Sequence, residues 1–265
     1  MKITKIGISG VLSVLISFSL AKAQPEAISP EDWALYQEGI NPGEVFAEEV
    51  GGELFNKPMG KANKSCASCH NPDDMKFVSQ IGKYPKYQKE CNKVVSLQQR
   101  VQMCQAKYQK MKPFSLKSKE NVAIVTYLKY IATGTKIDVD TSSNPVVKEY
   151  YEYGRKVFTT KRGKRYLSCQ VCHEFAVGRR LRMQWLKPLG KGTLNGVQGT
   201  SAAAHWPGYR MTKSKVFTIE QRFQQCMKNA GMKKLPLGSK EMVALELYVT
   251  SLSNGAEINA PGLVR

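Results

Sequence analysis

Apolar residues recur at helical spacing in one segment of each half of the chain. The two apolar sets are Val122, Ile124, Val125, Leu128 and Ile131, and Val243, Leu245, Leu247, Val249 and Leu252, the second being less regular. A period near 3.6 residues predicts amphipathic helices. Ser118 and Ser239 precede these segments, each followed by a glutamate in the first turn, which is the pattern of a capped helix start.

A second pair of segments, "SLQQRVQMC" and "TIEQRFQQC", also carries a helix-start signal. Each opens with Ser or Thr and has Gln three residues later, which is the capping-box pattern. Each then places an arginine and a cysteine four residues apart, Arg100 with Cys104 and Arg222 with Cys226. Residues at that spacing share one helix face, so the guanidinium and the sulfur are predicted to be neighbours.

These segments follow one order in both halves of the chain. Cys-x-x-Cys-His comes first, then the arginine–cysteine segment, then the segment that opens with "SKE". Three shared blocks in one order predict two domains related by internal duplication, at 24–140 and 141–265. The stretch "GTKIDVDTSSNP", near 133–145, has turn-forming residues and no apolar period, so it is the predicted linker.

The first residues have the pattern of a secretory signal. Lys2 and Lys5 precede the apolar run "IGISGVLSVLISFSL", and "AKA" follows at 21–23. A cleavable signal peptide at 1–23 is therefore predicted. A membrane anchor is the alternative, but the run is shorter than the roughly 20 residues of a spanning helix. No later stretch is long enough, so the mature protein is expected to be soluble in an oxidising compartment.

The charge balance is strongly basic. Lys and Arg total 40 against 21 acidic residues, a formal net charge of +19. Without the three lysines of the signal segment the net charge is 40 − 3 − 21 = +16. Such a field favours acidic partners or small anions, although a plain solvated surface is also compatible with it. No nucleic-acid-binding motif is present.

Two complete Cys-x-x-Cys-His motifs predict two covalently bound c-type haems. The motif residues are Cys66, Cys69 and His70, and Cys169, Cys172 and His173. The paired cysteines can each form a thioether to a haem, and the histidine can be the proximal iron ligand. Zinc usually takes four ligands, and only His205 is a histidine outside the motifs. A redox pair of cysteines would not need the adjacent histidine. Together with the sparse strand signals, this predicts a mainly α fold of two cytochrome c-like domains, with long loops around the haems.

The remaining cysteines bear on the distal iron ligands. Of 7 cysteines, four belong to the motifs, which leaves Cys91, Cys104 and Cys226. Because Cys104 and Cys226 occupy the same place in the two halves, they are predicted to ligate the two haem irons as thiolates. A disulfide between Cys91 and Cys104 is the open alternative for the first half. A thiolate close to Arg222 is also a nucleophile open to anions.

With these motifs the chain resembles the SoxA family of dihaem cytochromes c. The similarity includes "NPGE", "SCASCH", "YPKY", "QRVQMC", "SCQVCH", "QRFQQC" and "ALELYVTSL". It implies a periplasmic L-cysteine S-thiosulfotransferase, which joins thiosulfate to a cysteine of a SoxYZ-like carrier protein. It also implies a heterodimer with a SoxX-like monohaem cytochrome that takes the electrons. On this resemblance Cys226 is the catalytic persulfide and Arg222 binds the substrate.

Three questions stay open at the level of sequence. Arg100 has the same offset from Cys104 as Arg222 has from Cys226, so both arginines are also candidates to pair with a haem propionate. His205 is a candidate acid or base, or a packed loop residue beside Trp206. The alternative functions are a thiosulfate dehydrogenase that forms tetrathionate and a non-catalytic dihaem electron carrier.

Overall fold

The computed structural model describes residues 29–181 and 184–264, and the predicted signal peptide lies outside this part of the chain. Helices predominate, which confirms the mainly α fold. The α-helices are α1 (Pro30–Gln37), α2 (Pro42–Val45), α3 (Glu53–Asn56), α4 (Met75–Ile81), α5 (Leu97–Cys104), α6 (Lys119–Ile131), α7 (Pro145–Thr159), α8 (Ile219–Asn229) and α9 (Lys240–Ser251). π-helical turns occupy Phe46–Gly52, Gln105–Gln109 and Val171–Phe175. None of the helices in the described residues is both long and apolar enough to cross a membrane.

In the part of the chain that the structure describes, short strands form four small sheets. The strands are β1 (Lys86–Gln88), β2 (Lys93–Val95), β3 (Arg180–Leu181), β4 (Gln184–Trp185), β5 (Thr193–Leu194), β6 (Val197–Gln198), β7 (Gly208–Arg210), β8 (Lys215–Phe217) and β9 (Gly262–Val264). Antiparallel hairpins pair β1 with β2, β3 with β4, β5 with β6 and β7 with β8, while β9 joins β7 in parallel.

The segment between His173 and Cys226 is more regular than the predicted long loops, because it contains three of these hairpins. The β5–β6 turn shows why. Asn195 and Gly196 both have positive φ, at 50° and 73°, which is the Asn-Gly turn that suits a two-residue hairpin. The glycines and the proline of this stretch predict a loop, and the two turn residues lie within it.

Helix α9 lies between two hydrophobic clusters. Val243 and Leu247 belong to the larger cluster, which also contains residues of α3 to α7, whereas Leu245 and Val249 belong to a second cluster with Phe158 of α7. Apolar residues therefore surround α9 instead of forming one stripe, which explains its irregular period. Helix α6 has the cleaner stripe that the sequence predicts.

The same close backbone contacts occur in both halves of the chain. A Cβ at Gly51 would lie 2.4 Å from the Ala123 carbonyl oxygen, and a Cβ at Gly154 would lie 1.9 Å from the Ala244 carbonyl oxygen. Gly51 precedes Cys66 by the same number of residues as Gly154 precedes Cys169. This recurrence is what the predicted duplication requires, and the division at 140/141 stays a prediction.

The predicted linker is an irregular connection, as expected, but it is packed rather than loose. Ile137 and Val139 are fully or nearly buried in the larger cluster. The backbone N–H of Val139 donates to Asn254 Oδ1 at 3.0 Å, and Asn144 then caps α7. The connection therefore ties the end of the first half to the C-terminal segment.

Capping boxes start α5 and α8, as the sequence predicts. In each helix the Ser or Thr side chain accepts from the third residue, and the Gln side chain accepts in return from the cap N–H. Replacing Thr218 by alanine is expected to lower the free energy of unfolding by about 1 kcal/mol, because one helix-end N–H loses its partner. Chemical denaturation of the haem-loaded protein measures this, and Thr218→Ser, which keeps the cap, is the control. Equal losses in both variants would contradict it.

A buried charge cluster supports the start of α8. Glu220 is 1% exposed and its Oε2 accepts from the Gly238 N–H at 2.8 Å. Burial raises the pKa of Glu220 to about 7, and Glu246 of α9 hydrogen-bonds to it. Burial also lowers the pKa of Lys129 of α6 to about 8, although the charge of Glu246 opposes this shift. The cluster connects α6, α9 and the helix that carries Arg222 and Cys226.

Candidate active site

The second Cys-x-x-Cys-His motif is folded around the π-helical turn Val171–Phe175. Cys172 and His173 lie within this turn, and Cys169 lies just before it. The Ser168 hydroxyl accepts from the Val171 N–H at 3.4 Å, and the Ala176 N–H donates to the Val171 carbonyl at 2.8 Å. These bonds close the turn at both ends, so the two thiols and the imidazole are presented together.

The orientation of His173 suits a metal ligand. Its Nδ1 lies 3.0 Å from the Lys187 carbonyl oxygen. A carbonyl oxygen only accepts hydrogen bonds, so Nδ1 is the protonated nitrogen and Nε2 carries the lone pair. Burial lowers the pKa of His173, with a smaller contribution from the charge of Arg222, and this favours the neutral imidazole. A carbonyl acceptor on the far nitrogen is the usual support of a histidine ligand.

Helix α8 brings Cys226 and Arg222 to the same place. A cavity of about 1820 Å³ is lined by Cys169, Cys172, His173, Cys226 and Arg222 together. Burial raises the pKa of the Cys169 thiol to about 11, and the nearby Cys226 adds to the shift. The pKa of Cys172 is raised by the same two causes. The residues that the sequence predicts for the second site therefore converge in one cavity.

The lining of this cavity fits a covalently attached haem. It is larger than ordinary ligand pockets of roughly 300–1,000 Å³. Thiols for attachment, an imidazole with a free Nε2 and a cysteine sulfur are the donor set of a c-type haem with a thiolate ligand. The apolar surface that a porphyrin needs comes from Phe158, Leu167, Leu186, Leu189, Phe223, Met227, Leu245 and Val249.

The first motif has the same arrangement of sulfurs. Burial raises the pKa of Cys66 to about 11, and the nearby Cys104 is the second cause. Cys69 is likewise close enough to raise the pKa of Cys104, to which burial contributes most. His70 is half-buried and stacks on Phe77 at 4.4 Å between ring centroids. The four residues predicted to bind the first haem thus lie close together, with Cys104 supplied by α5.

The cysteines are not paired in the structure. None of the seven forms a disulfide, so the alternative of a Cys91–Cys104 disulfide is not formed. Cys91 lies in the β1–β2 connection, where its Sγ is 3.7 Å from the Gln88 carbonyl oxygen. Cys104 is therefore available as a ligand.

His205 lies apart from Cys226. It lines a different cavity, of about 590 Å³, with Lys187 and Asn259, and its Nδ1 is 3.2 Å from the Asn259 carbonyl oxygen. Its neighbour Trp206 lines both cavities. The structure favours the packed loop residue over a role as acid or base at Cys226.

Arg210 is a cavity residue that the sequence patterns did not predict. This residue of β7 is 7% exposed and lines the large cavity with Arg222 and Cys226. The signal was available, because the repeat extends upstream of the arginine–cysteine segment into the preceding hairpin. Alignment of the two hairpins places Arg210 opposite Gln88.

Comparisons with known proteins agree on one family. The SoxA/TsdA cytochrome c domain matches residues 50–137 and 191–258. An L-cysteine S-thiosulfotransferase subunit SoxA of Hydrogenobacter thermophilus is 35% identical over 91% of this chain and 88% of its own length. The SoxA subunit of Hydrogenophilus thermoluteolus is 31% identical over 85% and 83%.

A solved structure shows the same fold. The crystal structure of SoxXA from P. pantotrophus aligns with a TM-score of 0.75 at 22% identity, over 90% of this chain and 84% of that one. The agreement extends over both halves, each with its own Cys-x-x-Cys-His motif. The chain therefore belongs to the SoxA/TsdA family of cytochromes c and, within it, to the SoxA proteins.

Proposed function

We propose that this chain is the catalytic subunit of an L-cysteine S-thiosulfotransferase that oxidatively joins thiosulfate to a cysteine of a SoxYZ-like carrier protein. The observation that supports the proposal is the convergence of Cys226, Arg222 and the Cys-x-x-Cys-His motif in one cavity of a SoxA-family chain. Thiosulfate carries two negative charges, and a basic cavity next to a sulfur nucleophile suits it.

Two c-type haems belong to this proposal. Cys169 and Cys172 would hold the second one, with His173 Nε2 and Cys226 Sγ as its iron ligands. Bound haem supplies an acceptor for single electrons, and a thiolate ligand keeps the reduction potential low. The first would be bound in the same way by Cys66, Cys69, His70 and Cys104.

The chain's own residues would bind and position the substrate. Arg222 lies one helical turn from Cys226, and its Nη1 donates to Gln225 Oε1 at 2.7 Å, which fixes the guanidinium on the cavity wall. Its other N–H groups are suited to charge-assisted hydrogen bonds with the thiosulfate oxygens. Thiosulfate held in this way would have its outer sulfur beside the Cys226 sulfur.

The sulfur chemistry balances in two steps. Cys226–SH and thiosulfate form Cys226–S–S–SO3⁻, with release of one proton and two electrons. The carrier thiolate then attacks the sulfur next to the sulfonate, and Cys226 leaves as thiolate, as in thiol–disulfide exchange. If Cys226 is a persulfide, its outer sulfur forms the bond to thiosulfate and later leaves, in place of the cysteine sulfur. The two electrons pass to a SoxX-like monohaem cytochrome subunit.

The basic residues at the cavity and the predicted signal peptide are compatible with a periplasmic enzyme that acts on an anion. Lysines and arginines at the cavity include Arg165, Arg179, Arg180, Lys213, Lys215, Lys228 and Lys234. They would attract thiosulfate and an acidic carrier. The signal peptide at 1–23 would direct the chain to the periplasm.

A thiosulfate dehydrogenase is the second candidate, because a basic cavity with a cysteine sulfur beside a haem motif would suit that reaction as well. That enzyme joins two thiosulfates to tetrathionate and needs no carrier. The electron-transfer machinery would be the same, so the products distinguish the two activities.

Reconstitution tests the proposed function directly. The haem-loaded chain with its monohaem subunit, thiosulfate, ferricytochrome c and a thiol-bearing carrier is expected to give a carrier mass increase of one thiosulfate group. The reason is that Cys226 transfers the group to the carrier thiol. The measurement is mass spectrometry of the carrier, with a carrier lacking the cysteine as control. Tetrathionate as the product without carrier modification would establish the dehydrogenase instead.

A further inference from the structure

The two halves place different residues beside their paired arginines. Hairpin β1–β2 precedes α5 as hairpin β7–β8 precedes α8, and equivalent positions are 122 apart (222 − 100 = 226 − 104 = 122). By this offset Arg210 of β7 corresponds to Gln88 of β1, and Thr212 corresponds to Glu90. One half therefore has an amide and an acid where the other has a guanidinium and a hydroxyl.

In the first half, protein groups satisfy Arg100. Its Nη1 donates to Gln88 Oε1 at 3.1 Å and lies 3.9 Å from Glu90 Oε1. The salt bridge is partly exposed and contributes little to stability. It does place a negative charge beside the guanidinium, so this site offers less attraction to a free anion.

In the second half, positive charge accumulates instead. Arg210 and Arg222 both line the cavity that contains Cys226, together with Thr212. Burial and the charge of Arg222 lower the pKa of Arg210 to about 10, while Cys226 opposes the shift. Arg210 is thus still charged at neutral pH. Arg210 is buried and Arg222 is half-buried, so their positive charges repel each other, and a divalent anion bound beside both lowers that repulsion.

We infer that Arg210 is a second substrate-binding residue, which acts with Arg222 as a two-arginine clamp for a divalent sulfur oxyanion. This inference rests on the proposed function and specifies its substrate class. Each guanidinium can donate two parallel N–H groups to oxyanion oxygens, which fixes the orientation of a tetrahedral sulfonate end. A dianion gains from both charges, so the clamp discriminates against monoanions.

A haem propionate is the other anion that two arginines could bind. Both halves carry the complete haem motif and a paired arginine, Arg100 or Arg222, yet only the second half has an arginine at the β-hairpin position. Since the first half binds its haem without a second arginine there, haem binding alone does not require Arg210. The difference between the halves therefore favours a ligand that only the second half binds.

The test compares Arg210→Gln, which introduces the first-half residue, with Arg210→Lys and with Lys89→Gln. Lys89 is exposed on the equivalent hairpin of the first half, so its replacement removes one positive charge outside the cavity. Calorimetric titration of the oxidised, haem-loaded protein with thiosulfate is expected to show affinity weakened roughly ten- to hundredfold by Arg210→Gln. Arg210→Lys keeps the positive charge but loses the planar guanidinium with its parallel N–H groups, so a smaller weakening of thiosulfate affinity is expected. Methanesulfonate, a monoanion, is expected to lose less affinity than thiosulfate in Arg210→Gln. Lys89→Gln is expected to change thiosulfate affinity by less than twofold.

Reduction potential and transfer activity separate the outcomes. The inference predicts a raised KM for thiosulfate in Arg210→Gln, whereas Arg210→Lys, which keeps the positive charge near Cys226, is expected to leave the potential of the second haem unchanged. Unchanged thiosulfate affinity in folded Arg210→Gln overturns it, and a shifted potential in Arg210→Lys together with that unchanged affinity assigns Arg210 to a propionate. If the unaltered protein binds thiosulfate through Arg210 but transfers nothing to the carrier, the proposed function fails while the clamp stands.

Discussion

Replacing Cys226 by alanine is expected to reduce thiosulfate transfer to the carrier by about 10³-fold or more. On the proposed function the variant lacks the sulfur that would receive the thiosulfate group, and no other cysteine lies at this cavity except the two of the haem motif. Loss of a nucleophile usually removes most of the rate acceleration at such a site. Carrier mass spectrometry measures the transfer rate. Absorption spectra of the variant are also expected to change, because in the proposed ligation the second haem would lose its thiolate ligand.

Two other cysteines provide the controls for this experiment. Cys104 is the equivalent sulfur of the first half, so Cys104→Ala is expected to change the spectrum of the first haem with a much smaller loss of transfer. Cys91 lies in the first hairpin without a disulfide, and Cys91→Ala is expected to leave transfer within twofold. Full transfer activity in Cys226→Ala would show that Cys226 is not the nucleophile, and the chain would then act only as an electron carrier. Mass spectrometry of the Cys226 peptide reports separately on the persulfide, as one additional sulfur atom.

Local signals predicted the helical part of the site well. The capping boxes at Ser96 and Thr218 form as expected, because the residues that make them are three positions apart and need no distant partner. The same holds for Arg222 and Cys226, whose shared helix face follows from their spacing alone. The repeated order of the blocks also predicted that Arg222 and Cys226 lie near His173. The reason is that both halves pair a Cys-x-x-Cys-His motif with one arginine–cysteine helix.

Arg210 could not be found in this way, because its position depends on distant pairing. Strand β7 has three residues, too few for an apolar alternation, and it is buried by pairing with β8 and with Gly262–Val264 near the C-terminus. An arginine in a segment without a period gives no sign of burial. Only the comparison of the two hairpins, at a constant offset, reveals its counterpart Gln88.

The irregular pattern of α9 has a similar cause. Burial on one side gives a helix a clean stripe, but α9 contacts two clusters, so the apolar residues occur all round it. Close approach of α7 to α9 is also invisible to hydrophobic patterns, because the residue that permits it is Gly154. In the sequence, a glycine inside a helix indicates only lower helix stability, because it costs about 1 kcal/mol relative to alanine.

Replacing Gly154 by alanine is expected to lower the free energy of unfolding by about 3 kcal/mol. The added Cβ would lie 1.9 Å from the Ala244 carbonyl oxygen and 2.9 Å from Tyr248 Cβ. The carbonyl is backbone, so no rotamer change relieves the contact and α7 must move away from α9. Alanine favours a helix by about 1 kcal/mol over glycine, which is smaller than the cost of separating two packed helices. Denaturant unfolding of the haem-loaded protein measures the difference.

Two further glycines make this prediction specific to the helix contact. Gly51→Ala meets the Ala123 carbonyl oxygen at 2.4 Å in the equivalent place of the first half, so a destabilisation of similar size is expected there. Gly192→Ala has no atom within 4 Å of its new Cβ and is expected to change stability by less than about 0.5 kcal/mol. If Gly154→Ala and Gly192→Ala have the same free energy of unfolding, α7 and α9 do not approach as closely as described. Because α9 packs against the cavity wall and shares its cluster with Met227 of α8, separation of α7 from α9 is also expected to weaken the site around Cys226.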